Sequence, residues 1–142
     1  VEQPFKAPAR NQMMAVDQAI RSRCMADEDI KTRNSAIDLV GEPKPYGSWN
    51  IKIMKSGGIT TGKWLGDLAS LYNIPLMWGC MDESRISITA ALHTAYASPT
   101  TRYLDLDGSF DLARDIATGG FTVENGFMIP TGGPGLGVKL NI

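Results

Sequence analysis

The sequence predicts an α/β protein, an incomplete (β/α)8 barrel of the TIM type that holds a little over half of its strands. Three observations carry this reading. Short runs of strand-formers alternate with segments of helical apolar spacing, the order of parallel strands with helices on their faces. The repeat is even: Glu2 to Asp27 and Asp27 to Lys52 are each 25 residues, Lys52 to Gly79 is 27 and Gly79 to Asp105 is 26. An even repeat favours a barrel over an open doubly wound sheet. Five strands fit into the 142 residues, whereas a complete barrel takes eight strands and roughly 250 residues.

Each element has its own signal. The chain opens on Val, and Val1-Glu2-Gln3-Pro4 reads as the end of a strand entering a loop, so a piece of a longer polypeptide is expected. Met13, Val16 and Ile20, at i, i+3 and i+7, predict a helix. Cys24-Met25-Ala26 is a brief strand leading into Asp27-Glu28. A weaker helix carries Ala36, Ile37, Leu39 and Val40 and should stop near Gly41, where Pro43 and Pro45 enforce a loop. Residues 49–54 form the next strand, and Gly57-Gly58 allows a tight turn into a helix with Trp64, Leu65, Leu68, Leu71 and Tyr72 on one stripe. Residues 74–79 are a further strand. Residues 84–97 are apolar on most sides and predict a largely buried helix. Residues 101–106 form the last strand, ending at Asp107-Gly108. Residues 1–107 thus hold a little over half of the barrel. Residues 108–142 are a glycine-rich segment that packs back on it with a short hairpin.

Composition bounds the rest. Hydrophobic residues make up 43% and charged residues 20%, with a net charge of -1, ordinary for a globular domain. No basic stripe argues for nucleic acid as a partner. The two cysteines, Cys24 and Cys80, form neither a Cys-x-x-Cys motif nor a disulfide scaffold, and both thiols are expected to pack. No apolar run has the length of a membrane span and no signal peptide opens the sequence. A reduced, cytoplasmic protein without membrane partners is the expectation.

In a barrel the active site lies at the C-terminal ends of the strands. Placed there are Glu2, Asp27 with Glu28, Lys52, residues 79–83 including Glu83, and Asp105 with Asp107. Carboxylates from neighbouring strands make a hard oxygen site that suits Mg²⁺. A nearby cation and partial desolvation both favour the neutral amine of a lysine. Such an amine is fit to remove a proton from carbon beside a carboxylate.

Four motifs go further: Glu2-Gln3-Pro4, then Met25-Ala26-Asp27-Glu28, then residues 50–59 (Asn-Ile-Lys-Ile-Met-Lys-Ser-Gly-Gly-Ile), then Gly79-Cys80-Met81-Asp82-Glu83-Ser84. In this order, and on to Pro134-Gly135-Leu136-Gly137, the chain resembles the muconate lactonizing enzyme subgroup of the enolase (mandelate racemase/muconate lactonizing enzyme) superfamily, most closely its dipeptide epimerases. The resemblance implies that residues 1–107 are the second, C-terminal half of the barrel, its first strands absent. It also implies an isomerase that uses a Lys or His base with Mg²⁺. It implies that Glu2 and Asp27 are the second and third of three metal ligands, that Glu28 orients its neighbours, and that Lys52 is the catalytic lysine. Asp105 and Asp107 would be the Asp-x-Asp pair that binds the ammonium group of a dipeptide. By its place at the strand end, and not by the resemblance, Glu83 is expected to line the substrate pocket or to start the next helix. The first metal ligand, a Lys-x-Lys motif and an N-terminal capping domain belong to the family but not to these residues, so this chain alone is not expected to epimerise. A homo-oligomer is implied for the full-length enzyme.

Plainer readings stand beside these. Asp27-Glu28 equally suits a helix cap. Glu83 reads as a helix-start carboxylate as readily as a pocket residue, and Lys55 as a structural or solvated neighbour. His93 reads as a packed helical histidine. Residues 132–137 lack the strand-loop-helix context of a phosphate loop. Cycloisomerases, o-succinylbenzoate synthases and N-acylamino acid racemases share the metal and lysine framework, and a truncated non-catalytic chain is the third alternative. The Asp-x-Asp pair disfavours the other enzymes, whose substrates present no free ammonium.

Overall fold

The computed structural model describes residues 1–141. Four short strands, β1 (Met25–Ala26), β2 (Ser48–Lys52), β3 (Leu76–Gly79) and β4 (Thr101–Leu104), form a parallel sheet in sequence order. Glu2 adds a parallel bridge to Met25, with Met25 N–H donating to Val1 at 2.8 Å and Gln3 N–H to Met25 at 2.9 Å. Five consecutive segments therefore lie side by side, as the repeat predicts.

The helices are α1 (Arg10–Met14), α2 (Gln18–Arg21), α3 (Arg33–Val40), α4 (Ile53–Ser56), α5 (Ile59–Leu71) and α6 (Arg85–Tyr96). The core lies between sheet and helices. Trp49, Ile51, Leu76 and Trp78 from β2 and β3 pack with Leu65, Ala69, Ile88 and Leu92 from α5 and α6, all at most 1% exposed. Alternate strand residues point to opposite faces. Hence Trp49 and Ile51 enter this core while Asn50 and Lys52 face the other side.

Several boundaries differ from the expectation. The helix through Met13, Val16 and Ile20 is broken in two, because Asp17 leaves the helical conformation and its carboxylate accepts from Ala19 N–H at 2.7 Å, capping α2. Met13 is buried, but Ile20 is 58% exposed. The strand over residues 49–54 stops at Lys52, and α4 follows at once. Gly57 and Gly58, at φ +79° and +118°, close α4 and open α5, angles that residues with a Cβ rarely adopt. His93 lies on the exposed side of α6 instead of packing.

Helix α6 is the most buried, with Ser84 as its N-cap. Beyond Gly108 the chain forms β5 (Ala117–Gly119), β6 (Phe121–Glu124), β7 (Phe127–Pro130) and β8 (Val138–Leu140). β6 and β7 are a hairpin about Asn125-Gly126, both at positive φ, while β5 pairs with β8. The start of α6 holds this segment: the Arg85 guanidinium donates to the Gly119 and Phe121 carbonyls and lies 4.0 Å from the Phe121 ring centre. Among the described residues no helix is long and apolar enough to cross a membrane.

Candidate active site

The sheet places its chemistry at the strand ends. Asp27 directly follows β1, and Lys52 is the last residue of β2. The two meet: Lys52 Nζ lies 3.2 Å from Asp27 Oδ2, with side-chain exposures of 17% and 8%. The other Asp27 oxygen is paired with the Lys55 ammonium, itself buried. The early end of β2 brings this about, because one turn of α4 returns Lys55 to the same carboxylate. Burial pulls the Lys55 ammonium down to about 8, with the charge of Glu2 opposing. Lys55 is thus a buried partner of the site and not a solvated neighbour.

Glu2 is reached from the sheet's far side. Asn50 Nδ2 donates to Glu2 Oε1 at 2.8 Å. Gln3, at φ +34°, fixes the loop between them. Its Oε1 accepts from the N–H groups of Asp27 and Asp29 at 2.9 and 3.2 Å, and its Nε2 donates to Phe5 O and to the Tyr46 hydroxyl. Tyr46 donates in turn to Asp29 Oδ2 at 2.7 Å, and Asp29 also accepts from Ala9 N–H. Burial, the Asp29 hydrogen bond and the Asp29 charge all push the Tyr46 phenol up, so it stays a neutral donor. Gln3 therefore ties the segment carrying Glu2 to the loop carrying Asp27.

Two of the expected residues stand apart. Glu28 is exposed and makes no side-chain hydrogen bond or ion pair among the described residues. Its neighbour Asp29 is the carboxylate that organises the loop. Glu83 is buried at the start of α6, accepting from Met81 N–H at 2.9 Å and from the Ser87 hydroxyl. That geometry is the helix-start alternative.

Asp105 and Asp107 lie just past β4, where Asp105 N–H still pairs with Trp78 O at 2.9 Å. Leu106 between them is buried at 3% and both acids are exposed, so they share one side. Asp107 Oδ1 receives the Cys80 thiol at 3.6 Å, and Cys80 accepts from Gly108 N–H at 3.3 Å. Burial pushes the Cys80 thiol up and Asp107 adds to this against the pull of the Gly108 N–H, which keeps the thiol protonated as a donor. Asp82 is also exposed at this end.

Among the described residues no three His, Cys, Asp or Glu side chains gather as a complete metal cage. The chain instead supplies two carboxylates, Glu2 and Asp27. Mg²⁺ is commonly held by one or two carboxylates with waters completing the shell, so this donor set fits. In the structure each Asp27 oxygen carries a lysine ammonium group.

Residues 1–141 match the family described as Enolase C-terminal domain-like. The chain belongs to that family. The L-Lys-D/L-Arg epimerase of Desulforapulum autotrophicum is 52% identical over 98% of this chain. A dipeptide epimerase from Methylococcus capsulatus, crystallised with Mg and the dipeptide L-Arg-D-Lys, superposes with a TM-score of 0.92 at 52% identity over 96% of this chain. The L-Ala-D/L-Glu epimerase of Bacillus subtilis in a substrate-liganded complex gives 0.88 at 31% identity over 97% of this chain. The chain spans 39%, 39% and 38% of those three proteins respectively. Its fold is therefore that of the C-terminal part of such a barrel.

Proposed function

We propose that the protein carrying this chain is a Mg²⁺-dependent dipeptide epimerase that inverts the α-carbon of the C-terminal residue. The observation that carries this is the contact of Lys52 with Asp27 at 3.2 Å, which puts a base and a cation-binding carboxylate in one cluster. Glu2 and Asp27 hold the ion. Bound there, it supplies positive charge against the negative charge that develops on the substrate carboxylate. Lys52 serves one face of the α-carbon: it removes the α-proton there in one direction of the reaction and delivers a proton there in the other. Inversion also needs an acid/base group on the other face, which this reading places outside these residues.

The substrate class follows from the exposed acids. Asp105 and Asp107 sit on one side of the strand end and take up the N-terminal ammonium, a charge-assisted contact. Asp82, exposed on the neighbouring strand's loop, adds negative charge and favours cationic side chains. The 52% identity to epimerases of Lys and Arg dipeptides supports the same preference. Glu83 acts through the Met81 loop it fastens, and Glu28 as a solvent-side neighbour of Asp27. The cytoplasmic location and the homo-oligomer are part of this proposal.

The test uses the full-length protein with Mg²⁺ and L,L-dipeptides bearing cationic, acidic or apolar C-terminal residues. New diastereomers from the cationic set, abolished by EDTA and by Lys52→Met, are expected. Turnover of acidic or apolar dipeptides alone would overturn the side-chain preference. No turnover of any dipeptide by a folded, metal-binding protein would overturn the epimerase reading.

A further inference from the structure

Asn50 lies in the middle of β2 and is 1% exposed. A buried primary amide is kept where its ends have work to do, since an unmatched end costs free energy. One end is matched: Nδ2 donates to Glu2 Oε1 at 2.8 Å. The bond reaches past β1, which lies between the two segments. An ionised carboxylate only accepts, so the amide has a single orientation, with NH₂ toward Glu2 and Oδ1 away from it. Oδ1 has no hydrogen-bond partner among the described residues.

Gly79 on β3 provides the space. It pairs in register with Lys52, and a Cβ at Gly79 would stand 2.6 Å from Asn50 Oδ1, 2.9 Å from Asn50 Nδ2 and 3.0 Å from Lys52 Cε. Any side chain there would push aside both the amide and the stem of the catalytic lysine. The requirement for glycine is one of room, because its φ is not in the left-handed region.

We infer that Asn50 is a positioning residue for the cation site, with Gly79 as the residue that makes room for it. Its amide fixes one oxygen of the otherwise exposed Glu2 carboxylate and leaves Oε2, which has no hydrogen bond among the described residues, as the oxygen offered to the ion. Groups that orient metal ligands in this way commonly change metal affinity by about 10- to 100-fold when removed. The inference rests on the cation-site reading above.

The test is a Mn²⁺ titration followed by electron paramagnetic resonance on the full-length protein, with Mn²⁺ standing in for Mg²⁺. Wild type, Asn50→Leu, Glu2→Gln and the double variant form a cycle. Asn50→Leu should weaken Mn²⁺ binding about tenfold or more, with the metal-free Tm unchanged or raised. The double variant should bind no more weakly than Glu2→Gln alone. Gly79→Ala, which disturbs the amide without removing it, should weaken binding in the same direction. Should the leucine variant not fold, Asn50→Ser replaces it with the same expectations. Binding by the Asn50 variant within about twofold of wild type, or an effect that adds in full to Glu2→Gln, overturns the inference while the cation site stands. A wild-type protein that binds no Mn²⁺ overturns the cation site and the inference together.

Discussion

Glu2 and Asp27 are each held by other side chains, whereas Asp82, Asp105 and Asp107 stand nearly bare at the same end of the sheet. Asp27 has an ammonium on each oxygen, and Glu2 has the Asn50 amide. Asp107 has only a long thiol contact, and none of these three aspartates forms an ion pair among the described residues. Acids held in place suit an ion that demands fixed geometry. Bare acids suit a mobile ammonium that arrives with its substrate and leaves with the product. Asp115 supplies the control. It accepts from the Ser84 hydroxyl and from the N–H groups of Arg85 and Ala117, yet what it fastens is the C-terminal segment to the start of α6, away from the strand-end cluster of Asp27 and Lys52. Being held is therefore not sufficient, and a cation-facing cluster at a strand end is also required.

The comparison can be broken by removing each kind of group. Lys52→Met should have the largest effect, lowering turnover by about 10²- to 10⁴-fold as expected for loss of a general base. Steady-state assay across substrate concentrations checks it, and KM should move little. Asp27→Asn should lose metal affinity and also about 3 kcal/mol of metal-free stability, because it leaves two ammonium groups, one of them deeply buried, without their counter-charge. Denaturant titration in EDTA measures that second loss.

The bare acids should behave otherwise. Asp105→Asn with Asp107→Asn should lower kcat/KM by about 10- to 100-fold, since each Asn keeps an acceptor and loses only the charge, about 1 kcal/mol per position. The loss should fall on KM, with metal affinity and Tm unchanged. Cys80→Ala removes the weak thiol contact to Asp107 and the sulfur that accepts from Gly108 N–H, and should change KM by no more than about threefold.

The smallest effect is on acid stability. Burial pushes the Asp115 carboxyl up, but the hydrogen bonds from Arg85 N–H, the Ser84 hydroxyl and Ala117 N–H, with the Arg85 charge, outweigh it and leave it below its ordinary 3.8. A carboxylate with a lowered folded-state value stabilises the fold above its unfolded value, and the contribution fades as pH falls through the folded one. Asp115→Asn should therefore be less stable than wild type at neutral pH, and the gap should close below about pH 4. Thermal melts across that range read it directly.

The fold was legible because the repeat is long-range and redundant: one strand-length apolar run and one carboxylate or lysine recur in each unit. The helix ends near Gly41 and Ser84 were equally legible, since local capping and prolines determine them. Local competition was not. Nothing in the apolar spacing of Met13, Val16 and Ile20 reveals that Asp17 turns to cap α2. The end of β2 at Lys52 was also hidden, since Ile53 and Met54 suit a strand as well as a helix.

Within the site, Asp27 and Lys52 were visible as charged groups in apolar runs, and the structure joins them. The groups that hold them were not. Gln3, Asn50 and Tyr46 are neutral, and their importance lies in contacts 24 to 48 residues away along the chain. The one available signal was the position of Asn50, a polar residue two before Lys52 on the same strand face. Asp29 was masked by the adjacent Asp27-Glu28, where spacing alone does not tell which acid turns inward.

The most direct test of the division between held and bare acids is α-proton exchange in D₂O. NMR would follow the C-terminal residue of a cationic dipeptide with the full-length protein and Mg²⁺ as the dipeptide concentration is raised. For the two C-terminal epimers, the account predicts exchange of each in the wild type, a loss of about 10²- to 10⁴-fold with Lys52→Met for the epimer whose α-proton faces Lys52, and exchange with the Asp105→Asn/Asp107→Asn protein that recovers toward the wild-type rate at high dipeptide. Undiminished exchange of both epimers in the Lys52 variant, or an aspartate double variant that stays inactive at saturation, would contradict it.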